Sequence, residues 1–407
     1  MIFQRVISFA NGLEDPKHPL LGPNLKALYV YGLWQSGSKF RIACANFIHF
    51  LAFIFVCTQL LELWIVKDDF MKVLHNLSVT ILSIICLVKS SSYILWQSRW
   101  KELVNAISTE EISQMTQEDS VTQKLRKNYT TYARVVTYLY WYLVVMTNIT
   151  MISSPLLKYV TTATYREEIS NGTEPYPLIM SSWFPFDKTK MPWYWISVGV
   201  HILMNIHGGG IVAVYDSNAV VIMIFLKGQM RILREKCKTL FNDSENIQRK
   251  DILDRIKECH RHHGFLLTQS GLFNSVLSPV MFLYVLVCSI MICCSVVQFP
   301  SEQATTSQKL WVLEYTTALV SQLFLYCWHS NEVLAESNEI DRGVFESDWW
   351  KADVRIRKQV ILLAGKMGQP FLLSAGPFTT LSVPTFISVI KGSYSFYTLF
   401  TQMHENK

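Results

Sequence analysis

The chain has 407 residues, of which 50% are hydrophobic and only 17% charged, and its mean hydropathy is +0.21. That balance excludes an ordinary soluble domain and makes a lipid bilayer the expected solvent. The net charge of +6 and pI near 8.7 would suit a nucleic-acid binder, but the lysines and arginines avoid the long apolar runs and collect between them, so no nucleic acid is expected as a partner.

In residues 1–41, Asn11, Glu14, Asp15, Lys17 and His18 interrupt any compact apolar stretch, which argues against a cleaved signal peptide. A helix crossing ~30 Å of hydrocarbon needs roughly 20 mostly apolar residues, because its backbone must be satisfied internally. Six runs qualify: 42–66, 73–96, 133–154, 193–226, 272–298 and 310–334. Residues 193–226 would form a helix about 50 Å long, so its end should project into the cytosol, with Asp216 near the inner boundary. The Lys227–Lys238 stretch then opens a basic helical stalk over 227–271, read as a solvated face. Gly208-Gly209-Gly210 permits a bend or a close helix approach. Residues 335–377 form a cytosolic segment. Within it Val360–Ala375 carries Lys366 and is broken at Gln369-Pro370, and Gly376-Pro377 follows, so it reads as a helix feeding a seventh span, 378–402. The predicted fold is all-α, a polytopic membrane protein with seven transmembrane helices.

Orientation follows from the loops. With the N-terminus cytosolic, inside segments hold 25 lysines and arginines and outside segments 8, which selects the inverted topology, C-terminus outside. Lys89 and Arg134 fall near inner membrane ends, where they are expected to snorkel. Asn171-Gly172-Thr173 is a glycosylation sequon in the longest outside loop. The nine cysteines lie mainly in or beside apolar runs and suggest no disulfide framework. Cys259-His260-Arg261-His262-His263 lacks a matched second ligand pair, so neither a metal nor a cofactor is expected, nor an enzyme.

In the last span Ser388, Lys391, Ser395, Thr398 and Gln402 recur at steps of three and four, which aligns them on one helical face. That face should meet either a neighbouring helix or a hydrated pathway. One such stripe encloses no pore, so a channel of this kind needs several copies of the helix around an axis.

The run Ser374-Ala375-Gly376-Pro377 leading into Thr385-Phe386-Ile387-Ser388-Val389-Ile390-Lys391-Gly392-Ser393-Tyr394-Ser395-Phe396-Tyr397 resembles the carboxyl-terminal signature of insect odorant receptors. Gln322, Phe324, Tyr326 and Cys327, Trp349-Trp350 and Gln369-Pro370 agree with it. The resemblance implies an odorant-tuning subunit, not the shared co-receptor, acting with that co-receptor in a heterotetramer. The complex would be a non-selective cation channel in the plasma membrane of olfactory neuron dendrites, gated by a small volatile odorant. On the last helix the resemblance puts the gate at Leu399 and pore positions at Ser395, Thr398, Gln402 and Met403. It also implies an odorant cavity in the outer half of the bundle, among spans two, three, four and six. By depth this selects Val79 and Ser83, then Met146, Thr147, Thr150 and Met151, then Trp195, Ile202 and Asn205, and finally Trp311, Tyr315 and Leu319. A gustatory-type channel is the nearer alternative. A G-protein-coupled receptor is disfavoured by the inward N-terminus and by the absence of cysteine between 143 and 192. A transporter would need an inverted repeat, which is not apparent.

Overall fold

The computed structural model describes residues 12–68, 70–173, 175–241, 249–298 and 306–405. The described chain is mostly helical: α1 (Gly22–Val30), α2 (Lys39–Ile65), α3 (Phe70–Leu95), α4 (Gln97–Met115), α5 (Ser120–Thr161), α6 (Ala163–Ser170), α7 (Trp193–Lys238), α8 (Arg249–Gln298), α9 (Thr306–Ser337), α10 (Ile340–Phe345), α11 (Val354–Met367) and α12 (Val383–Glu405). Two short antiparallel strands, β1 (Ser374–Ala375) and β2 (Thr379–Thr380), precede α12. Among the described residues α2, α3, α5, α7 and α8 are long and apolar enough to cross a membrane, and α9 and α12 occupy the sixth and seventh predicted spans. The chain is thus a multi-pass helical membrane protein.

The helices outrun the spans read from hydropathy. α5, α7 and α8 have 42, 46 and 50 residues, about 60 to 75 Å each, so their polar ends continue as helix beyond the hydrocarbon. The stretch 97–131, taken as a connecting segment, is α4 and the first turns of α5. α7 stands at the centre and is buried almost continuously from Gly210 to Met230. α2 is its opposite, with Phe47, Phe50, Phe53, Leu60, Leu61 and Trp64 exposed, the surface expected of a helix that meets lipid tails. α7 runs as unbroken helix through the glycine triplet. The triplet allows close approach, since a Cβ on Gly209 would overlap the Asn148 amide and one on Gly210 the Tyr31 ring.

At the charged end of the bundle the basic end of α7 is partly exposed and also paired. Lys227 pairs with Glu332, Arg231 with Glu336 at 2.7 Å and Arg234 with Glu346 at 3.0 Å, which ties α7 to α9 and to the segment after α10. Arg134 does not snorkel: its guanidinium bonds Glu14 at 2.7 Å and the carbonyls of Pro19 and Leu20. A buried polar network joins α4, α5, α7 and α8 just above this clamp. In it the Tyr129 hydroxyl donates to Glu111, Gln229 and Gln114 exchange amide bonds at 2.7 and 2.9 Å, and His262 sits 3.0 Å from Gln229. Burial pushes the His262 pKa down to about 3, so the ring is neutral there and serves as a packing partner.

The region before the last helix departs from the helical reading of Val360–Ala375. α11 ends at Met367, and residues 371–381 turn back as the β1–β2 hairpin, with Gly376 at φ 69° supplying the left-handed turn residue. The hairpin docks on α8, where Ser374 N donates to Asn274 Oδ1 (2.9 Å) and Gly376 N to the Ser278 carbonyl (3.1 Å). α12 therefore starts at Val383, later than the expected 378. Ser382 Oγ accepts from Thr385 N and Pro384 occupies the first turn, both helix-start signals.

Candidate functional site

Two adjoining cavities lie inside the bundle. The larger has about 90 Å³ of free volume and is walled by Leu82 and Cys86 of α3, Tyr140, Thr147, Asn148 and Met151 of α5, Asn205 and Gly209 of α7, and Tyr315, Leu319 and Gln322 of α9. The smaller, about 60 Å³, is bounded by Phe55 of α2, Val79 and Ser83 of α3, Met180 of the α6–α7 connection and His207 of α7. Leu82, Cys86, Met151, Asn205 and Gly209 belong to both walls, so the two are lobes of one site. The bare backbone at Gly208 and Gly209 leaves room where any side chain would fill it. Mostly apolar walls with a few converging polar groups are the usual make-up of a small-molecule site.

A charged cluster forms the floor. Lys89 and Asp216, 0% and 2% exposed, form an ion pair at 2.6 Å. Lys89 therefore does not snorkel, and Asp216 is its buried partner: an ion buried among helices is retained only with a partner and hydrogen bonds around it. Asp216 Oδ1 accepts from Lys89 and from the Tyr326 hydroxyl at 2.7 Å, while Oδ2 accepts from the Tyr140 hydroxyl at 2.7 Å and from Gln322 Nε2. The rings of Tyr215 and Tyr284 flank the ammonium at 5.7 and 4.9 Å, a cation–π arrangement. Tyr140 and Gln322 belong both to this cluster and to the cavity wall. On α9, Gln322 and Tyr326 share one face and hold Asp216. Phe324 projects from another and meets Phe386 of α12 at 5.4 Å, edge to face.

Seven of the twelve expected ligand contacts line the two lobes: Val79, Ser83, Thr147, Met151, Asn205, Tyr315 and Leu319. Ile202 is half-buried against the same apolar cluster. Thr150 lines neither lobe, and its hydroxyl donates to the Met146 carbonyl at 3.1 Å. Met146 and Trp195 are exposed because they lie on the outward faces of α5 and α7, which depth alone does not distinguish from the inward ones. The side chain of Trp311 lies outside the described residues. Tyr140, Asn148, Gln322 and the Lys89–Asp216 pair were missed. The available signal was two opposite charges, each isolated in an apolar run, which in a membrane protein select one another.

On α12 the polar stripe is exposed at Ser388, Lys391, Ser395 and Gln402 and half-buried at Thr398, while Phe386, Val389 and Ile390 pack inward. Ser395 Oγ donates to the Lys391 carbonyl at 3.0 Å and Thr398 Oγ1 to Ser395 at 2.9 Å. The side chains of Leu399 and Met403 lie outside the described residues. The Cys259–His263 run is turned to packing: His262 belongs to the buried network and His263 lies 5.8 Å from the Phe371 ring.

Comparison with known proteins agrees with this architecture. Odorant receptor 10 of Aedes albopictus is 22% identical over 54% of this chain and 58% of its own length, and Odorant receptor Or2 of Anopheles gambiae 26% over 37% and 39%. The chain thus spans about half the length of these two relatives, whereas Odorant receptor 13a of Drosophila melanogaster is 22% identical over 83% of this chain and 81% of its own. The insect olfactory receptor OR5 from Machilis hrabei, solved in complex with eugenol, shares the fold with a TM-score of 0.79 at 15% identity, over 96% of this chain and 100% of that one. With the odorant-receptor family model, described as 7tm Odorant receptor, matching residues 69–394, the chain belongs to the seven-transmembrane odorant receptor family.

Proposed function

We propose that this chain is an odorant-tuning subunit of a ligand-gated, non-selective cation channel. It would sit in the dendritic plasma membrane of olfactory neurons with its N-terminus cytosolic, joined to a shared co-receptor in a heterotetramer. The carrying observation is that one helix, α9, gives Gln322 to the cavity wall and Phe324 to a contact with α12. A small volatile in the cavity bears on α9, and α9 bears on the helix whose polar stripe the single chain leaves exposed. That stripe faces the pore axis in the assembly, with Leu399 as constriction and Ser395, Thr398, Gln402 and Met403 beside it. The ligand opens the channel by binding the open arrangement more tightly than the closed one. Asn171, exposed in the turn after α6, accepts a glycan on the outer side.

Co-expression with the co-receptor and current recording against an odorant panel tests the reading. Odorants should evoke cation currents, Leu399→Ala should raise basal current or alter permeation, and Tyr315→Ala should shift odorant potency while sparing currents from a co-receptor agonist. Unchanged permeation in a Leu399→Ala channel at normal surface density removes the gate assignment, and odorant-evoked substrate uptake without current removes the channel.

A further inference from the structure

The cavity wall has a hydrogen-bonding bias that no part of the family assignment contains. Each hydroxyl side chain on the larger lobe has spent its only proton on the protein. Tyr140 donates to Asp216 Oδ2 (2.7 Å), Thr147 to the Leu143 carbonyl (2.9 Å) and Tyr315 to the Ser78 carbonyl (3.2 Å). Each amide nitrogen also has a protein partner, which takes one of its two N–H bonds: Asn148 Nδ2 donates to the Val144 carbonyl (2.7 Å), Asn205 Nδ2 to the Asn148 carbonyl (3.4 Å) and Gln322 Nε2 to Asp216 Oδ2.

Asp216 fixes the direction of this pattern. An ionised carboxylate only accepts, so the Gln322 amide must turn its nitrogen toward Asp216, which directs its carbonyl oxygen away from the floor. The same rule makes the Tyr140 phenol a donor to Asp216 and leaves its oxygen as an acceptor. Lys89, Tyr326, Tyr140 and Gln322 take up the roughly four acceptor positions of the carboxylate, so Asp216 has none to offer a ligand. Asn148 Oδ1 is buried with no hydrogen-bond partner, and Gln322, on the facing wall, is itself buried. An acceptor left orphaned in an apolar space destabilises it until a donor arrives.

We propose that this site selects small neutral volatiles bearing an O–H donor, alcohols and phenols, over ethers, esters and ketones of the same shape. The carbon skeleton fills the apolar lobes and the hydroxyl meets the acceptors of the α5 and α9 walls. An ammonium is excluded because the one carboxylate is already saturated by Lys89 and its neighbours. This selectivity rests on the odorant-binding reading above.

The test uses the purified full-length protein in lipid nanodiscs, with protein-free nanodiscs as blank. Benzyl alcohol is titrated against benzyl methyl ether and benzyl acetate, with binding read by saturation-transfer NMR. Benzyl alcohol should bind roughly tenfold more tightly than either O-capped analogue, the worth of about one hydrogen bond. In a Gln322→Met protein that still elutes as the wild type does, the preference should shrink while ether affinity holds. Equal affinities, tighter ether or acetate binding, or no saturable benzyl alcohol binding by the wild type overturns the proposal. Currents separate the two readings. Selective alcohol binding without odorant-evoked current, in cells whose co-receptor responds to its own agonist, defeats the channel reading and leaves donor selectivity standing. Currents evoked equally by all three probes defeat donor selectivity and leave the channel.

Discussion

Replacing Asp216 with alanine should damage this protein far more than replacing Lys89 with methionine, although the two form one ion pair. In an isolated buried pair, losing either partner costs about 3 to 5 kcal/mol because a charge is left uncompensated. Here the carboxylate is a hub and the ammonium is a spoke. Asp216→Ala strands Lys89 and also the donors of Tyr140, Tyr326 and Gln322, each orphaned donor adding about 1 to 3 kcal/mol. The sum, about 6 kcal/mol or more, is comparable to the whole stability of a typical domain. Lys89→Met leaves Asp216 holding three donors and fills the stem's space with an apolar chain, so its cost should fall near the lower end of the pair value, about 3 kcal/mol. Unfolding of a large membrane protein is irreversible, so the measure is a rate: the fraction of folded protein surviving a timed heat step in detergent, read by fluorescence-detected size exclusion, with surface biotinylation beside it. Asp216→Ala should reach the surface at a small fraction of wild type and Lys89→Met at an intermediate level. Equal losses, or a worse Lys89→Met, would refute the hub arrangement.

Gly209→Ala should lower odorant potency at least tenfold with co-receptor-agonist currents intact, because the added Cβ overlaps the Asn148 amide at the wall shared by both lobes; an unchanged dose–response curve contradicts the tight approach. At the charged end, Arg231→Glu should cost about 0.5 to 1 kcal/mol, since Arg231 is half exposed beside a partly buried Glu336, and the swap with Glu336→Arg should recover survival in the same heat assay; no recovery means the pair is not what is lost. Asp353 caps α11 by accepting from Ile356 N at 2.8 Å, a bond that holds its carboxyl below the usual range. Asp353→Ala should therefore lower heat survival and Asp353→Asn much less so, an order the assay reads directly.

Hydropathy located the membrane helices because burial in lipid demands long apolar runs whatever the neighbours are. It misjudged their ends, since the polar turns of α5, α7 and α8 are held as helix by contacts with α4, α9 and α10 that periodicity does not report. The start of α12 was legible in principle from Ser382 and Pro384. The reading gave weight to Pro377 instead, which belongs to the hairpin turn.

By itself the sequence determined the class of solvent, the run of spans, the polar stripe on α12 and the signature that pointed to the family, all properties of residues close together in the chain. Only the tertiary structure decided that Lys89 meets Asp216 across 127 positions, and that Gln322 and Tyr140 turn their donors to that carboxylate while bounding the cavity. The reason is that a hydrogen-bond direction belongs to a pair. An amide or hydroxyl can give or accept until the fold supplies its partner, and that partner fixes what remains for a ligand.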